Sequence, residues 1–264
     1  MKLAVIGKDV SASDSPKMHS FIAKNMGNEI TYDKISIPVE DFESRIDDII
    51  KNYDGFNVTI PFKLSVIPHL NKIVDDAQLF GAVNTVLKSD LSGHNTDGAG
   101  FMLMLKNNGV QVSGKKVLLL GAGGAGRAVA KKLVGAGAQL FVYDRNAESA
   151  CSLAEECGNV TVLSSVEPED YYLIINATGV GMHKSVGISP VGEDVLSRTQ
   201  VAVDLIYVPA ESEFLKIART LGKKTINGQA MLFYQAYFAE CIYFGAQPDD
   251  AQAKQLFEKY ISEV

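Results

Sequence analysis

Cysteine is scarce in this 264-residue chain, and the three present, Cys151, Cys157 and Cys241, are odd in number and form no Cys-x-x-Cys pair. That argues against a disulfide framework and against a thiolate metal site. Histidine is as sparse: His19, His69, His94 and His183 show neither HExxH nor any other ligand spacing, so no metal is expected. Long apolar runs are missing too. Even Val117-Leu118-Leu119-Leu120 breaks at Gly121, far short of the roughly 18 apolar residues of a membrane span. The opening stretch Met1 to Ile6 is too brief for a signal-peptide core and runs into Lys8 and Asp9, so no export signal is read there. Basic charge is not concentrated: the formal charge is -6, and no basic run exceeds the pairs beginning at Lys115, Lys131 and Lys223. That leaves no electrostatic footprint for nucleic acid. These deficits point to a reduced, cytoplasmic, metal-free protein, a monomer or homodimer, whose partner is a small molecule rather than nucleic acid or membrane.

What is there is ordinary globular composition, 47% apolar and 21% charged, enough for one large or two modest cores. There is no internal repeat and no low-complexity segment. Lys2 to Ile6 reads as a strand, Ser15-Pro16 as the N-cap and first position of a helix, and Gly27 as its C′ residue. Thr31 to Ile37 alternates as a half-buried strand, Phe42 to Ile50 returns to helical spacing, and Gly55 to Ile60 is strand-like up to Pro61. A further helical stretch leads to a strand over Ala82 to Leu87, a polar turn over Ser92 to Gly98, and a helix from about Gly100 to Lys106. After Ser113-Gly114 the texture changes to short apolar strands at Val117 to Leu120, Gln139 to Tyr143, Tyr171 to Asn176, Val201 to Asp204 and Lys224 to Ile226, alternating with helices. Such alternation predicts a parallel sheet covered on both faces. The expectation is an α/β fold of two domains. Residues 1–98 form an α/β substrate domain and residues 99–232 a Rossmann dinucleotide-binding domain, with the helical tail, 233–264, packing back on the first.

The sharpest local signal is Gly121-Ala122-Gly123-Gly124-Ala125-Gly126, a GxGxxG set between a strand and a helical run from Arg127. Its glycines permit the tight turn, the approach of backbone to pyrophosphate and close helix-strand packing, and the helix N-terminus favours the phosphates. At the end of the next strand stands Asp144, about 20 residues on, where a carboxylate can bond the ribose 2′-OH of NAD. Arg145 beside it suits a 2′-phosphate or stacks on adenine.

In the first half, Asn57-Val58-Thr59-Ile60-Pro61-Phe62-Lys63 sets a lysine just past a strand and a proline turn, and Asn95-Thr96-Asp97-Gly98 offers a carboxylate. If the two converge, Asp97 can hold Lys63 and Lys63 can exchange a proton. Ser13-Asp14-Ser15-Pro16, those two segments, Gly81-Ala82-Val83-Asn84-Thr85, the glycine loop, Asn176-Ala177-Thr178-Gly179 and Asn227-Gly228 through Gln235 follow in order from the first loop to the last helices. Together they resemble the shikimate dehydrogenase family. The resemblance implies reversible reduction of 3-dehydroshikimate to shikimate with NADPH, in chorismate biosynthesis, with substrate held in a cleft between domains. It implies Lys63 as acid/base and Asp97 as its partner. Substrate contacts would be Ser13, Ser15, Thr59, Asn84, Tyr207 and Gln235, with Thr178 and Gly228 joining the glycine loop, Asp144 and Arg145 at the cofactor. Hydroxyl and amide side chains suit a ring bearing hydroxyls and a carboxylate, because each offers a directional hydrogen bond.

Taken singly, Ser15 is also a helix cap, Ser13 a loop hydroxyl, Asn84 a turn residue, and Tyr207 and Gln235 polar edges of packing. The chain also departs from the family pattern. Its NADP enzymes often carry Asn-Arg-Thr and a further arginine, whereas here Asp144-Arg145-Asn146 is followed by Ala147, Glu148 and Ser149. Asp144 and Glu148 would repel a 2′-phosphate, which points to NAD or to use of both cofactors. Ala230 stands where the last motif usually has a second glycine. Two other functions stay in view: an NAD-dependent quinate/shikimate dehydrogenase, and a dinucleotide-binding module without catalysis.

Overall fold

Leu3-Ala4-Val5-Ile6 is an unbroken apolar run, the composition of a strand covered on both faces, and in β1 (Lys2–Gly7) every residue after Lys2 is buried. In the computed structural model, which describes residues 1–263, helix α1 (Ser15–Asn25) leads from β1 to β2 (Thr31–Ser36), and α2 (Phe42–Asn52) from there to β3 (Gly55–Val58). Both β2 and β3 pair parallel with β1, and Ile6 lies opposite Val58. Then follow β4 (Lys72–Ile73), α3 (Asp76–Phe80), β5 (Thr85–Leu87), β6 (Ser92–His94) and α4 (Asp97–Asn107). The sheet order is β2-β1-β3-β5-β6-β4, and β3, β5 and β6 run antiparallel to one another in turn. Phe42, Ile46 and Ile49 of α2 pack with Phe56, Val58 and Phe62 in the core on one face. Two local expectations need correction. The stretch 92–98 begins as strand β6, because Ser92, Gly93 and His94 pair with Leu87, Val86 and Thr85. Asp14 rather than Ser15 occupies the N-cap of α1, without a side-chain capping bond, since the Ser15 hydroxyl is engaged elsewhere.

The second sheet is wholly parallel. Its elements are β7 (Lys116–Leu120), α5 (Gly124–Gly135), β8 (Gln139–Tyr143), α6 (Ala147–Cys157), β9 (Val160–Val162), β10 (Leu173–Asn176), α7 (Glu193–Leu196), β11 (Val201–Asp204), α8 (Glu213–Thr220) and β12 (Lys224–Ile226). The order β12-β11-β10-β7-β8-β9 is that of a doubly wound Rossmann sheet. Chain direction across the sheet reverses between β7 and β10, the position whose strand ends bind ligands in such folds.

The tail is two helices, α9 (Gln229–Phe244) and α10 (Asp250–Glu263), broken at Gly245 with φ +62°. Ala239 and Tyr243 of α9 pack on Leu3 of β1. Tyr260 of α10 meets Phe21 and Phe233 at ring distances of 5.1 and 5.2 Å. By contact density the chain divides into two units, one of Met1–Leu103 with the segment from Phe233 onward, the other Met104–Leu232, so the divisions fall inside α4 and α9. Among the described residues no helix is long and apolar enough to cross a membrane.

Candidate active site

In the first unit, the turn after β3, whose Ile60–Pro61 peptide is cis, carries Lys63, and Asp97 opens α4. Lys63 Nζ donates to Asp97 Oδ2 at 2.6 Å, with the two side chains 28% and 17% exposed. That is sheltered enough to strengthen the pair and open enough for a small ligand to reach it. The carboxylate is held from its other oxygen: Asn84 Nδ2 donates to Asp97 Oδ1 at 2.9 Å, and the Asp97 N–H donates to Asn95 Oδ1. Asn84 is itself buried and accepts from the Thr96 N–H at 2.9 Å, while Thr96 Oγ1 lies 3.5 Å from Gln235 Oε1. Lys63, Asp97 and Asn84 therefore meet, with Gln235 joined through Thr96, although they come from two helices and two loop segments.

The two serines form a second group. Ser13 Oγ donates to Ser15 Oγ at 2.9 Å and accepts from the Ser15 N–H at 3.2 Å. Tyr32 donates to Asn57 Oδ1 at 2.7 Å, and Asn57 Nδ2 donates to the Asn84 carbonyl and to Thr85 Oγ1. A continuous hydrogen-bonded path thus joins Tyr32 through Asn57 to Asn84 and, by way of Asp97, onward to Lys63. Thr59, one residue past β3, is tied to β1 through its N–H to the Ile6 carbonyl at 2.9 Å. Tyr207 belongs to the second unit, in the loop after β11, and is 41% exposed. Asp204 anchors that loop: it is fully buried and accepts from Ser212 Oγ at 2.5 Å, the Ile206 N–H at 2.9 Å and Asn176 Nδ2 at 3.1 Å. Burial raises its carboxyl above the ordinary aspartate range, against the pull of those donors.

The glycine loop follows β7 and opens α5. Gly121 has φ +102°, the left-handed turn its position demands. A methyl group on Gly126 would stand 2.1 Å from the Gly121 carbonyl oxygen, whereas one on Gly123 or Gly124 would meet nothing within 4 Å. Tight packing behind the loop and open space before it are what a bound pyrophosphate requires. A cavity of about 810 Å³ lies there, lined by Gly121, Gly123, Asp144, Arg145 and Thr178 among others. Ala122, Gly126 and Gly228 are buried, while Gly124 and Ala125 are exposed at the start of α5. Gly228 abuts the Leu205 carbonyl, which leaves no room for a Cβ. Asp144 Oδ2 accepts from the Ala122 N–H at 2.7 Å and Oδ1 from the Asn146 N–H at 2.8 Å, so its negative charge is fixed at the cavity wall. Thr178 donates to Asn176 Oδ1 at 2.6 Å. Among the described residues no group of three or more His, Cys, Asp or Glu could hold a metal ion.

Several supporting side chains had no role in the sequence reading: Tyr32, Thr96, Asn176 and Asp204. Asn176 and Asp204 are polar residues at the ends of apolar strands, the only signal that could have marked them.

Residues 5–86 match the family described as shikimate dehydrogenase substrate binding domain, and residues 103–180 that described as shikimate / quinate 5-dehydrogenase. A shikimate dehydrogenase (NADP(+)) of Carboxydothermus hydrogenoformans is 38% identical over 256 residues, 92% of this chain and 91% of that protein. Among solved structures, shikimate 5-dehydrogenase from Thermus thermophilus in complex with NADP(H) and shikimate superposes with a TM-score of 0.88 at 35% identity, covering 98% of this chain and 99% of that one. Quinate dehydrogenase from Corynebacterium glutamicum in complex with NAD superposes with a TM-score of 0.86 at 30% identity, covering 98% and 99%.

Proposed function

The chain belongs to the shikimate dehydrogenase family, and from that membership we propose that it catalyses the reversible reduction of 3-dehydroshikimate to shikimate with a nicotinamide dinucleotide. The observation that carries the reading is the Lys63–Asp97 pair at 2.6 Å, fastened through Asn84 and Thr96 beside Gln235. In reduction the Lys63 ammonium donates its proton to the oxygen of the ketone as that carbon is reduced, and in oxidation Lys63 takes the proton of the same hydroxyl. Asp97 keeps the lysine aimed and balances its charge. Ser13 and Ser15 present hydroxyl donors to the ring carboxylate. Thr59, Asn84, Gln235 and Tyr207 bond the ring hydroxyls, so a substrate lacking one leaves a polar group unpaired. The dinucleotide supplies or accepts the hydride, and the glycine loop, Thr178 and Gly228 hold it.

NADP follows from the family, and Asp144 argues that NAD serves as well, because a 2′-phosphate would face a carboxylate while a ribose 2′-OH could donate to it. The same aspartate supports a second reading, NAD-dependent oxidation of quinate. A cytoplasmic monomer or homodimer completes the proposal, with mass measurement in solution as its check. The deciding experiment is initial velocity with shikimate and with quinate, each with NADP and NAD, followed by absorbance of the reduced nicotinamide. Turnover of shikimate above quinate is the expected result. Preference for quinate with NAD would establish the second reading, and no turnover of any pair would overturn both.

A further inference from the structure

Helix α9 is almost wholly apolar along Met231 to Phe244, yet it carries Glu240, whose side chain has no exposure to solvent. Its Oε1 accepts from His19 Nδ1 at 2.6 Å, His19 is 1% exposed, and Glu240 Oε2 is buried with no hydrogen-bond partner. Stability does not account for such a pair. Two buried charged or strongly polar groups lose more hydration than their mutual attraction returns unless every atom is satisfied, and well-packed apolar side chains of similar volume serve the core as well or better. What the pair supplies is orientation. A histidine ring tethered at Nδ1 cannot turn about its own axis, and this ring stacks on Tyr32 at 4.5 Å between centroids with 24° between planes.

Tyr32 begins the site's polar path. Its hydroxyl donates to Asn57 Oδ1 at 2.7 Å. Burial first, and then the charge of Glu240, push that hydroxyl well above the usual phenol range, so it stays an O–H donor to Asn57 through neutral pH. Asn57 has all its positions filled: it also accepts from the Tyr243 hydroxyl at 3.0 Å and donates to the Asn84 carbonyl and Thr85 Oγ1. The spacing along α9 agrees. Tyr243 follows Glu240 by three residues, so the two share a helix face.

We propose that His19 and Glu240 are a positioning pair for substrate binding: the tethered imidazole fixes Tyr32, and Tyr32, through Asn57, sets Asn84, which bonds a ring hydroxyl. The inference rests on the function proposed above. Because Asp97 is also held by Lys63 itself and by Asn95, independently of Tyr32 and Asn57, the pair governs substrate affinity and leaves the proton step at Lys63 untouched.

The test is a set of three proteins compared by steady-state kinetics in both substrates, by calorimetric titration with shikimate, and by thermal melting. In Glu240→Gln, the amide oxygen still accepts from His19, and the KM for shikimate should stay within about twofold of wild type. In the double variant His19→Phe with Glu240→Leu, the core is apolar and the tether is gone. Its KM and calorimetric Kd for shikimate should rise about tenfold, the size of one hydrogen bond, with melting temperature not lowered and kcat and cofactor KM within about twofold. A double variant whose KM for shikimate is unchanged would overturn the inference. So would one in which kcat falls and both KM values rise together, since that pattern is general loosening. Wild-type protein is the control: if it binds and oxidises no shikimate, the functional reading fails and the inference with it, whereas an active wild type with an unaltered double variant sinks the inference alone.

Discussion

Lys63 is held at 2.6 Å from the Asp97 carboxylate, and on the function proposed above its ammonium is the proton donor. Lys63→Met should therefore lower kcat for shikimate oxidation by about 10²- to 10⁴-fold, while direct titration shows dinucleotide binding intact. Turnover retained within tenfold would move the proton step to another group. Asp204 gives a prediction in pH. Its folded-state carboxyl is raised by burial, so between the unfolded value near 3.9 and that higher value the folded protein holds more protons than the unfolded chain. Stability then falls as pH rises through the interval, and the cost persists at neutral pH. Asp204→Asn can keep the bonds from Ile206 and Asn176 and donate to Ser212 in return. Its melting temperature relative to wild type should improve as pH is raised from about 4 to about 7. A difference that shrinks with rising pH would contradict the assignment.

At the level of elements, the join of β7 and α5 is the least forgiving. Gly126→Ala would drive a methyl group to 2.1 Å from the Gly121 carbonyl, and α5 must shift off the strand to relieve it. Loss of dinucleotide affinity by at least tenfold is expected, with about 1–3 kcal/mol of destabilisation, read by titration and chemical unfolding. Gly123→Ala meets open space and serves as the milder comparison, touching only the ligand side. This element was legible in the sequence because strand, glycines and helix are contiguous and their spacing has one physical use. Strands β7, β8, β10, β11 and the three-residue β12 were legible from their place in the alternation with helices, being short runs punctuated by turns. Strands β4, β6 and β9, of two or three residues, had no such alternation read around them and show no period of their own. Ser15 was read as a cap, whereas Asp14 takes that position and the Ser15 hydroxyl accepts from Ser13 two residues before it. The path through Asn57 and Asn84 spans pairs 25 to 28 residues apart, and no local pattern reports a hydrogen bond across that distance. Lys63 and Asp97 were found through motif resemblance; spacing alone left them as two polar loop residues.

At the scale of the molecule, the first unit is assembled from both ends of the chain. Its closing layer is α9 and α10, where Phe257 and Tyr260 meet Phe233, Tyr234 and Phe21 at ring distances of 5.1 to 5.4 Å. Ending the chain after Phe244 bares those rings, a loss of several kcal/mol at about 25 cal/mol per Å². The truncated protein should melt well below wild type and lose shikimate binding, yet still bind dinucleotide through residues 104–232, as calorimetry with each ligand would show. If both ligands were lost together, the units would not be energetically separable. The same arrangement sets an order of events during synthesis. β1 leaves the ribosome before the Rossmann unit, but Ala239 and Tyr243, which cover Leu3, emerge only after the whole of that unit. That unit can fold while β1 waits, and in doing so it shortens the effective loop that the returning helices must close, lowering its entropic cost. The nascent chain thus carries an apolar strand without its cover for more than half its synthesis, the interval in which a chaperone has most to protect.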